Sequence, residues 1–133
     1  MALVGIGGVG GALLRNAVLL AWPTPSDSLP WATLTVNLTG SLVLGALLAL
    51  LAVGFPRARL WRLLVGSGFI GAYTTFSTWM VETTLVLRSD RPALAVTYLA
   101  LSLAGGLGAV VLGALLARGL VRLERALRAG SGG

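Results

Sequence analysis

The sequence predicts an all-α membrane protein with four transmembrane helices, the third of them broken midway. The chain of 133 residues is 56% hydrophobic and only 11% charged, and so few charged side chains cannot cover a soluble domain. A bilayer core of about 30 Å is crossed by about 20 apolar residues. Four windows meet that length, and glycines interrupt the third: residues 2–22, 32–54, 62–87 and 93–117.

The four windows leave room for one membrane domain with short loops. We therefore assign residues 1–117 to a four-helix transmembrane subunit and residues 118–133 to a basic amphipathic tail with a flexible Gly/Ser end. A multi-pass location in the cell membrane follows from this division.

Composition excludes several chemistries. The chain contains no cysteine and no histidine, which removes zinc sites, thiol chemistry and histidine catalysis. Nine of the ten arginines stand at or beyond the ends of apolar windows, where positive charge orients membrane helices. The net charge of +6 therefore indicates membrane anchoring rather than nucleic-acid binding, and no enzyme is predicted.

The first helix opens with GIGGVGGALLRN. Its GxGxxG match has no preceding strand, so it does not indicate a dinucleotide site. Gly7 and Gly11 instead form a GxxxG face that allows a neighbouring helix to approach closely. Arg15 follows four residues later on the same face.

The second helix carries one polar stripe on an apolar surface. Thr33, Asn37, Ser41 and Gly45 recur at a spacing of four, which places them on one face of a helix.

The third helix contains the stretch GSGFIGAYTTFSTW. Gly66, Gly68 and Gly71, followed by the β-branched Thr74 and Thr75, favour an interruption of the helix. Irregular backbone at membrane depth survives only inside protein or along a watery cavity, where its carbonyls can coordinate a cation. The alternative is a continuous glycine-rich helix used for tight packing.

The fourth helix places Tyr98, Ser102 and Gly106 on one face. A neighbouring row of small residues is suited to helix packing and consists of Gly105, Ala109 and Gly113.

Three of these stretches together resemble the Fluc (CrcB) family of small fluoride channels: GGVGGALLRN, TLTVNLTGS and GFIGAYTTFSTW. The resemblance extends in order over residues 5–115. It implies four-helix subunits that pair antiparallel, as dual-topology dimers do, and form two pores that release fluoride passively from the cytoplasm. It also implies a structural sodium ion at the dimer centre, bound by the backbone carbonyls of Gly71 and Thr74.

The resemblance further implies a fluoride pore made of hydrogen-bond donors and aromatic ring edges. Those pore residues are Asn37, Thr75, Phe76, Ser77, Trp79, Tyr98 and Ser102. Arg15 and Glu82 correspond to charged positions near the pore vestibules.

The chemistry of these residues suits fluoride, because a pore must replace tightly bound water with donors that still release the ion. Each residue also has a structural alternative. Asn37 and Ser102 could bond or pack against neighbouring helices, the two aromatic residues could be core or lipid anchors, and the two charged residues could snorkel to the interface.

Two features depart from the family pattern. Trp79 stands where the family usually has Phe, and Gly106 shortens the hydroxyl track on the fourth helix. In addition, seven arginines fall on the side of both termini and two on the other side. Such bias fixes orientation, so we expect both termini in the cytoplasm and an oppositely oriented paralogue as the partner, with a homodimer as the alternative.

Two alternatives to a fluoride channel remain at this point. A small four-helix multidrug or cation exporter needs a carboxylate in the first helix, where this chain has Arg15. A non-conducting subunit of a heterodimeric channel is the other.

Overall fold

The computed structural model describes residues 1–25, 28–53 and 58–130, and all regular structure within these ranges is helical. The predicted all-α class is confirmed. The elements are α1 Ala2–Ala21, α2 Trp31–Ala52, α3 Ala58–Trp61, a π-helix at Arg62–Ile70 that we call π1, α4 Gly71–Tyr73, α5 Ser77–Arg88 and α6 Pro92–Gly130.

Prolines and a left-handed residue set the helix boundaries. α1 ends just before Pro23, and α2 begins directly after Pro30, since proline cannot continue a helix but is accepted at its start. Asp90 has a φ of 56° in the turn after α5. Pro92 then occupies the first position of α6.

Among the residues that the structure describes, three helices are long and apolar enough to cross a membrane: α1, α2 and α6. The first two match their predicted windows closely. The fourth window falls inside α6, which continues well past it to Gly130.

The third window is divided, as predicted. π1 and α4 form its first half and α5 its second, with α3 just before the window, and residues 74–76 between the halves are not helical. We call these three residues the break, and the whole segment from α3 to α5, residues 58–88, the third crossing. Thr74 has φ −73° and ψ 155°, an extended conformation, so the chain unwinds for about one turn before the helix resumes at Ser77.

The glycines of the third crossing do not themselves unwind. Gly66 and Gly68 lie within π1, where each N–H bonds five residues back and the helix is wider than an α-helix. The Gly71 amide accordingly donates to the Gly66 carbonyl. The structure therefore places the interruption one turn later than the glycines.

Two glycines of α1 bring that helix into backbone contact with the third crossing. A Cβ at Gly7 would lie 2.0 Å from the Leu64 carbonyl oxygen, and one at Gly11 would lie 2.1 Å from the Phe69 carbonyl oxygen. Only glycine fits at such distances, so the predicted GxxxG contact is confirmed.

α2 and α6 approach each other in the same way. A Cβ at Gly45 would lie 2.0 Å from the Val110 carbonyl oxygen, and one at Gly113 would lie 2.0 Å from the Leu42 carbonyl oxygen. The packing row predicted on α6 thus faces α2.

Large apolar side chains mostly face outward, as expected where lipid is the solvent. Ile6 on α1 is 66% exposed. The buried hydrophobic cluster in the described residues is small and consists of Leu34, Trp79 and Tyr98. It lies where α2, α5 and α6 meet, next to the break.

The C-terminal segment is continuous with the membrane helix through Gly130. The Gly/Ser end at 131–133 and the loop residue Arg57 lie outside the described residues. The division into a domain at 1–117 and a tail at 118–133 stays a prediction.

Candidate functional site at the helix break

Asn37 on α2 forms two hydrogen bonds to the backbone of the break. The Thr75 N–H donates to Asn37 Oδ1 at 2.9 Å, and Asn37 Nδ2 donates to the Thr75 carbonyl at 3.0 Å. Backbone groups at membrane depth need partners because no water replaces them. The side chain of Asn37 therefore supplies the partners that the interrupted helix cannot.

The break also deprives two backbone carbonyls of the N–H donors that a continuous helix would supply. In a continuous helix the Thr75 N–H would bond the Gly71 carbonyl, and the Thr78 N–H would bond the Thr74 carbonyl. Instead the first goes to Asn37, and the second donates to Thr75 Oγ1 at 3.2 Å. The Gly71 and Thr74 carbonyls thus lose their usual helical donors at the break.

Side-chain hydroxyl groups provide hydrogen-bond partners at the N-terminus of α5. Thr75 Oγ1 donates to Thr78 Oγ1 at 3.0 Å and lies 3.4 Å from Ser77 Oγ. Thr75 is buried, whereas Ser77 is exposed. Thr75 therefore caps α5 in the way that a hydroxyl residue caps a helix N-terminus.

A cavity of about 270 Å³ opens beside the break. One water takes up about 30 Å³ in the liquid, so the space is ample for small ions. Its walls come from α2, the third crossing and α6. The lining residues are Asn37, Gly40, Ser41, Leu44, Ile70, Thr74, Thr75, Phe76, Trp79, Ser102 and Leu103.

Two residues of this cavity carry buried donors with no acceptor among the described residues, Trp79 Nε1 and Ser102 Oγ. An unpaired buried polar group costs about 1–3 kcal/mol. Native proteins seldom keep such groups without a ligand or a functional reason.

The two aromatic residues of the third crossing differ in exposure. The rings of Phe76 and Trp79 meet edge to face, with centroids 5.5 Å apart and planes at 74°. Phe76 is 70% exposed, whereas Trp79 is 8% exposed. Phe76 therefore belongs to the outer wall of the cavity, and Trp79 joins it to the buried cluster.

Glu82 is the centre of a second polar cluster, one helical turn beyond Trp79. Thr33 Oγ1 donates to Glu82 Oε1 and the Tyr98 hydroxyl donates to Glu82 Oε2, both at 2.8 Å. Thr33 and Tyr98 are fully buried. Glu82 also borders a cavity of about 80 Å³ beneath the first loop, lined further by Thr24 and Pro30.

The predicted site residues fall into two neighbouring groups with a few outliers. Asn37, Thr74, Thr75, Phe76, Trp79 and Ser102 line the main cavity. Tyr98 and Glu82 form the second cluster. Gly71, Ser77 and Arg15 do not line the main cavity, and Arg15 is half-buried on α1.

Besides the apolar lining residues, three residues of the site were not predicted as functional. Ser41 lines the main cavity and Thr33 bonds Glu82. Their spacing of four from Asn37 was the available signal. A Cβ at Gly40 would lie 2.3 Å from Thr74 Cγ2, a close approach that sequence periodicity alone does not reveal.

An interrupted membrane helix beside a cavity rich in donors defines a multi-pass membrane protein of the channel or transporter class. The particular family follows from comparison. The profile of the family described as CrcB-like protein, Camphor Resistance (CrcB), matches residues 2–114, and the chain belongs to this family. The predicted resemblance is confirmed.

Several relatives cover most of the chain. It is 41% identical over 110 residues to the protein named Fluoride-specific ion channel FluC 2 of Nocardia farcinica (strain IFM 10152), covering 83% of this chain and 79% of that protein. It is 42% identical over 116 residues to Fluoride-specific ion channel FluC of Chlorobaculum tepidum, covering 87% and 92%. The family is one of ion channels rather than enzymes, which confirms that prediction.

Proposed function

We propose that this chain is a subunit of a fluoride-selective channel that releases fluoride passively from the cytoplasm and so lowers its toxicity. The observation that carries the proposal is the cavity at the break, where the buried Ser102 hydroxyl has no partner among the described residues and the Asn37 amide has a second N–H to offer. The names of the relatives, which are fluoride-specific ion channels, point to the same ion.

Fluoride fits the chemistry of this cavity. The ion is small and strongly hydrated, so the pathway must offer hydrogen-bond donors in place of water. Asn37 Nδ2 uses one of its two N–H groups on Thr75 and has a second to offer. The side chains of Asn37, Ser41 and Ser102 therefore give a series of neutral donors along the cavity, whereas the Thr75 hydroxyl already donates to Thr78.

Hydrogen-bond donors without a formal charge also favour release of the fluoride ion. Conduction requires that binding be strong enough to dehydrate the ion and weak enough to let it leave. No lysine or arginine is among the residues that line the main cavity in the described part of the chain. The ring edge of Phe76 adds weak positive character without a formal charge.

A sodium ion at the centre of an antiparallel dimer is part of the proposal. The break deprives the Gly71 and Thr74 carbonyls of their helical donors, and unwound carbonyls are the sodium ligands of broken membrane helices. One subunit supplies two such oxygens, too few for a cation. Two subunits facing each other at the break would supply four.

The experiment is anion efflux from liposomes that contain the purified protein. With an ionophore carrying the counter-cation, fluoride should leave these vesicles far faster than protein-free vesicles, and chloride should not. Fluoride efflux equal to that of empty vesicles, with the chain alone and with an oppositely oriented paralogue, contradicts the proposal. Efflux that requires the paralogue supports a heterodimer.

A further inference from the structure

The C-terminal part of α6 is longer than a membrane crossing requires. The helix comprises 39 residues, which at 1.5 Å per residue is about 58 Å, whereas the hydrocarbon core is about 30 Å thick. Arg118 is the first charged residue after Pro92. Residues 118–130 therefore extend the helix by about 20 Å beyond the apolar span.

This extension has two opposite faces. Arg118, Arg122 and Arg125 recur at helical spacing on one face, and all three are exposed. The opposite face carries leucines at a spacing of three and four. These are Leu120, Leu123 and Leu127, which are 68%, 57% and 66% exposed.

No described part of the chain covers the extension. A Cβ at Gly119 or at Gly130 would meet nothing within 4 Å. The exposed leucine face is in line with Leu112 and Leu116 of the apolar span, which are themselves about half exposed. The lipid-facing stripe of the membrane helix thus continues without interruption into the extension.

The charge of the extension is strongly positive. Four arginines against one glutamate give residues 118–130 a net charge of +3. Arg128 pairs with that glutamate, Glu124, on the flank of the helix. The three arginines of the basic face have no acidic partner among the described residues.

We propose that residues 118–130 are a docking surface for anionic lipid headgroups of the leaflet at which α6 ends. The leucine face enters the boundary between headgroups and acyl chains, and the basic face binds lipid phosphates. The segment reaches the lipid by leaning at Gly119, a glycine at the start of the extension with low helix-forming tendency and no packing neighbour to oppose a bend. This surface is separate from the fluoride pathway.

The chain has no cysteine, so single cysteines can carry a fluorescent label without background. We choose Leu123→Cys on the leucine face and Ala129→Cys on the basic face as its matched control. Each full-length variant is labelled with an environment-sensitive dye. It is then reconstituted into vesicles of phosphatidylcholine alone or mixed with phosphatidylglycerol, with acrylamide, an aqueous quencher without charge, on both sides of the membrane.

The proposal predicts that phosphatidylglycerol shields position 123 but not position 129, with a quenching constant at least about threefold smaller at 123. Replacing Arg118, Arg122 and Arg125 together by Gln should abolish this difference. Equal quenching at the two positions in both lipids would overturn the proposal. Shielding of position 123 that survives the Gln substitutions would overturn it too, because protein packing would then be the cause.

Discussion

Asn37 is the residue on which the break most depends. Its amide bonds both the N–H and the carbonyl of Thr75, two backbone groups that lie at membrane depth. A membrane asparagine is commonly read as a contact between helices. Asn37 can bond the third crossing and still donate a hydrogen bond to an ion, because its side chain also lines the main cavity.

Asn37→Ala should lower the stability of the protein and its fluoride efflux together. The substitution leaves two backbone groups of the break without partners, at about 1–3 kcal/mol each. Denaturant unfolding in detergent measures the first effect and liposome efflux the second. The matched control is Thr97→Ala, since Thr97 is exposed and bonds only the Ala93 carbonyl of its own helix. Equal effects of the two substitutions would contradict the role of Asn37.

Trp79→Phe tests the departure from the family pattern. The substitution keeps a ring edge beside Phe76 and removes a buried N–H that has no acceptor among the described residues. We expect fluoride efflux at least as fast as that of the unmodified chain, because the cavity widens and no hydrogen bond is lost. Trp61→Phe, at an exposed tryptophan, is the control. A tenfold loss of efflux in Trp79→Phe alone would show that the indole N–H itself binds the ion.

At the scale of elements, the third crossing illustrates what the sequence could predict. The apolar windows predicted α1 and α2 correctly, and the GxxxG spacing predicted the close contact that α1 makes. Both signals depend on local periodicity. The position of the unwound turn did not follow from the glycines. Gly66 and Gly68 remain helical in π1, whereas the unwound turn lies where Asn37, distant in sequence, accepts a hydrogen bond from the Thr75 amide.

The polar cluster around Glu82 also could not be predicted from local sequence patterns. Thr33, Glu82 and Tyr98 stand on three different helices, and one sequence without an alignment does not show which faces meet. Glu82 could be predicted as a functional residue because membrane carboxylates are rare. Its two hydroxyl partners required the packing of α2, α5 and α6.

Gly11→Ala tests the contact between α1 and the third crossing. The added methyl would collide with the Phe69 carbonyl, so we expect a loss of stability of about 1–3 kcal/mol and reduced efflux. Gly5→Ala is a closely matched control, because a Cβ there meets nothing within 4 Å. Unfolding curves for the two variants should separate, and coincident curves would contradict the close contact.

At the scale of the whole molecule, we expect arginine placement to set how the subunit enters the membrane. With four crossings, both termini and the loop before the third crossing would share one side, which would carry most of the arginines. Positive charge is retained in the cytoplasm. We therefore propose that the subunit inserts mainly with both termini inside and pairs with an oppositely oriented paralogue.

Reporter fusions at the C-terminus measure this orientation. A reporter active only in the cytoplasm should give the signal, and one active only outside should give little. Fusions to a variant with Arg118, Arg122 and Arg125 replaced by Gln show how far the tail contributes to the bias. Equal signals from both reporters on the unmodified chain would instead mean dual insertion and a homodimer.

The most direct test of the account is to block the main cavity chemically. Ser41 lines the cavity and Val43, two residues along α2, is exposed on another face, so Ser41→Cys and Val43→Cys form a matched pair in a cysteine-free chain. After a methanethiosulfonate reagent has modified both, as verified by mass spectrometry, fluoride efflux is measured from liposomes. If the main cavity is the fluoride pathway, efflux should fall at least about tenfold for modified Ser41→Cys and not at all for Val43→Cys. Undiminished efflux through modified Ser41→Cys would place the fluoride pathway elsewhere.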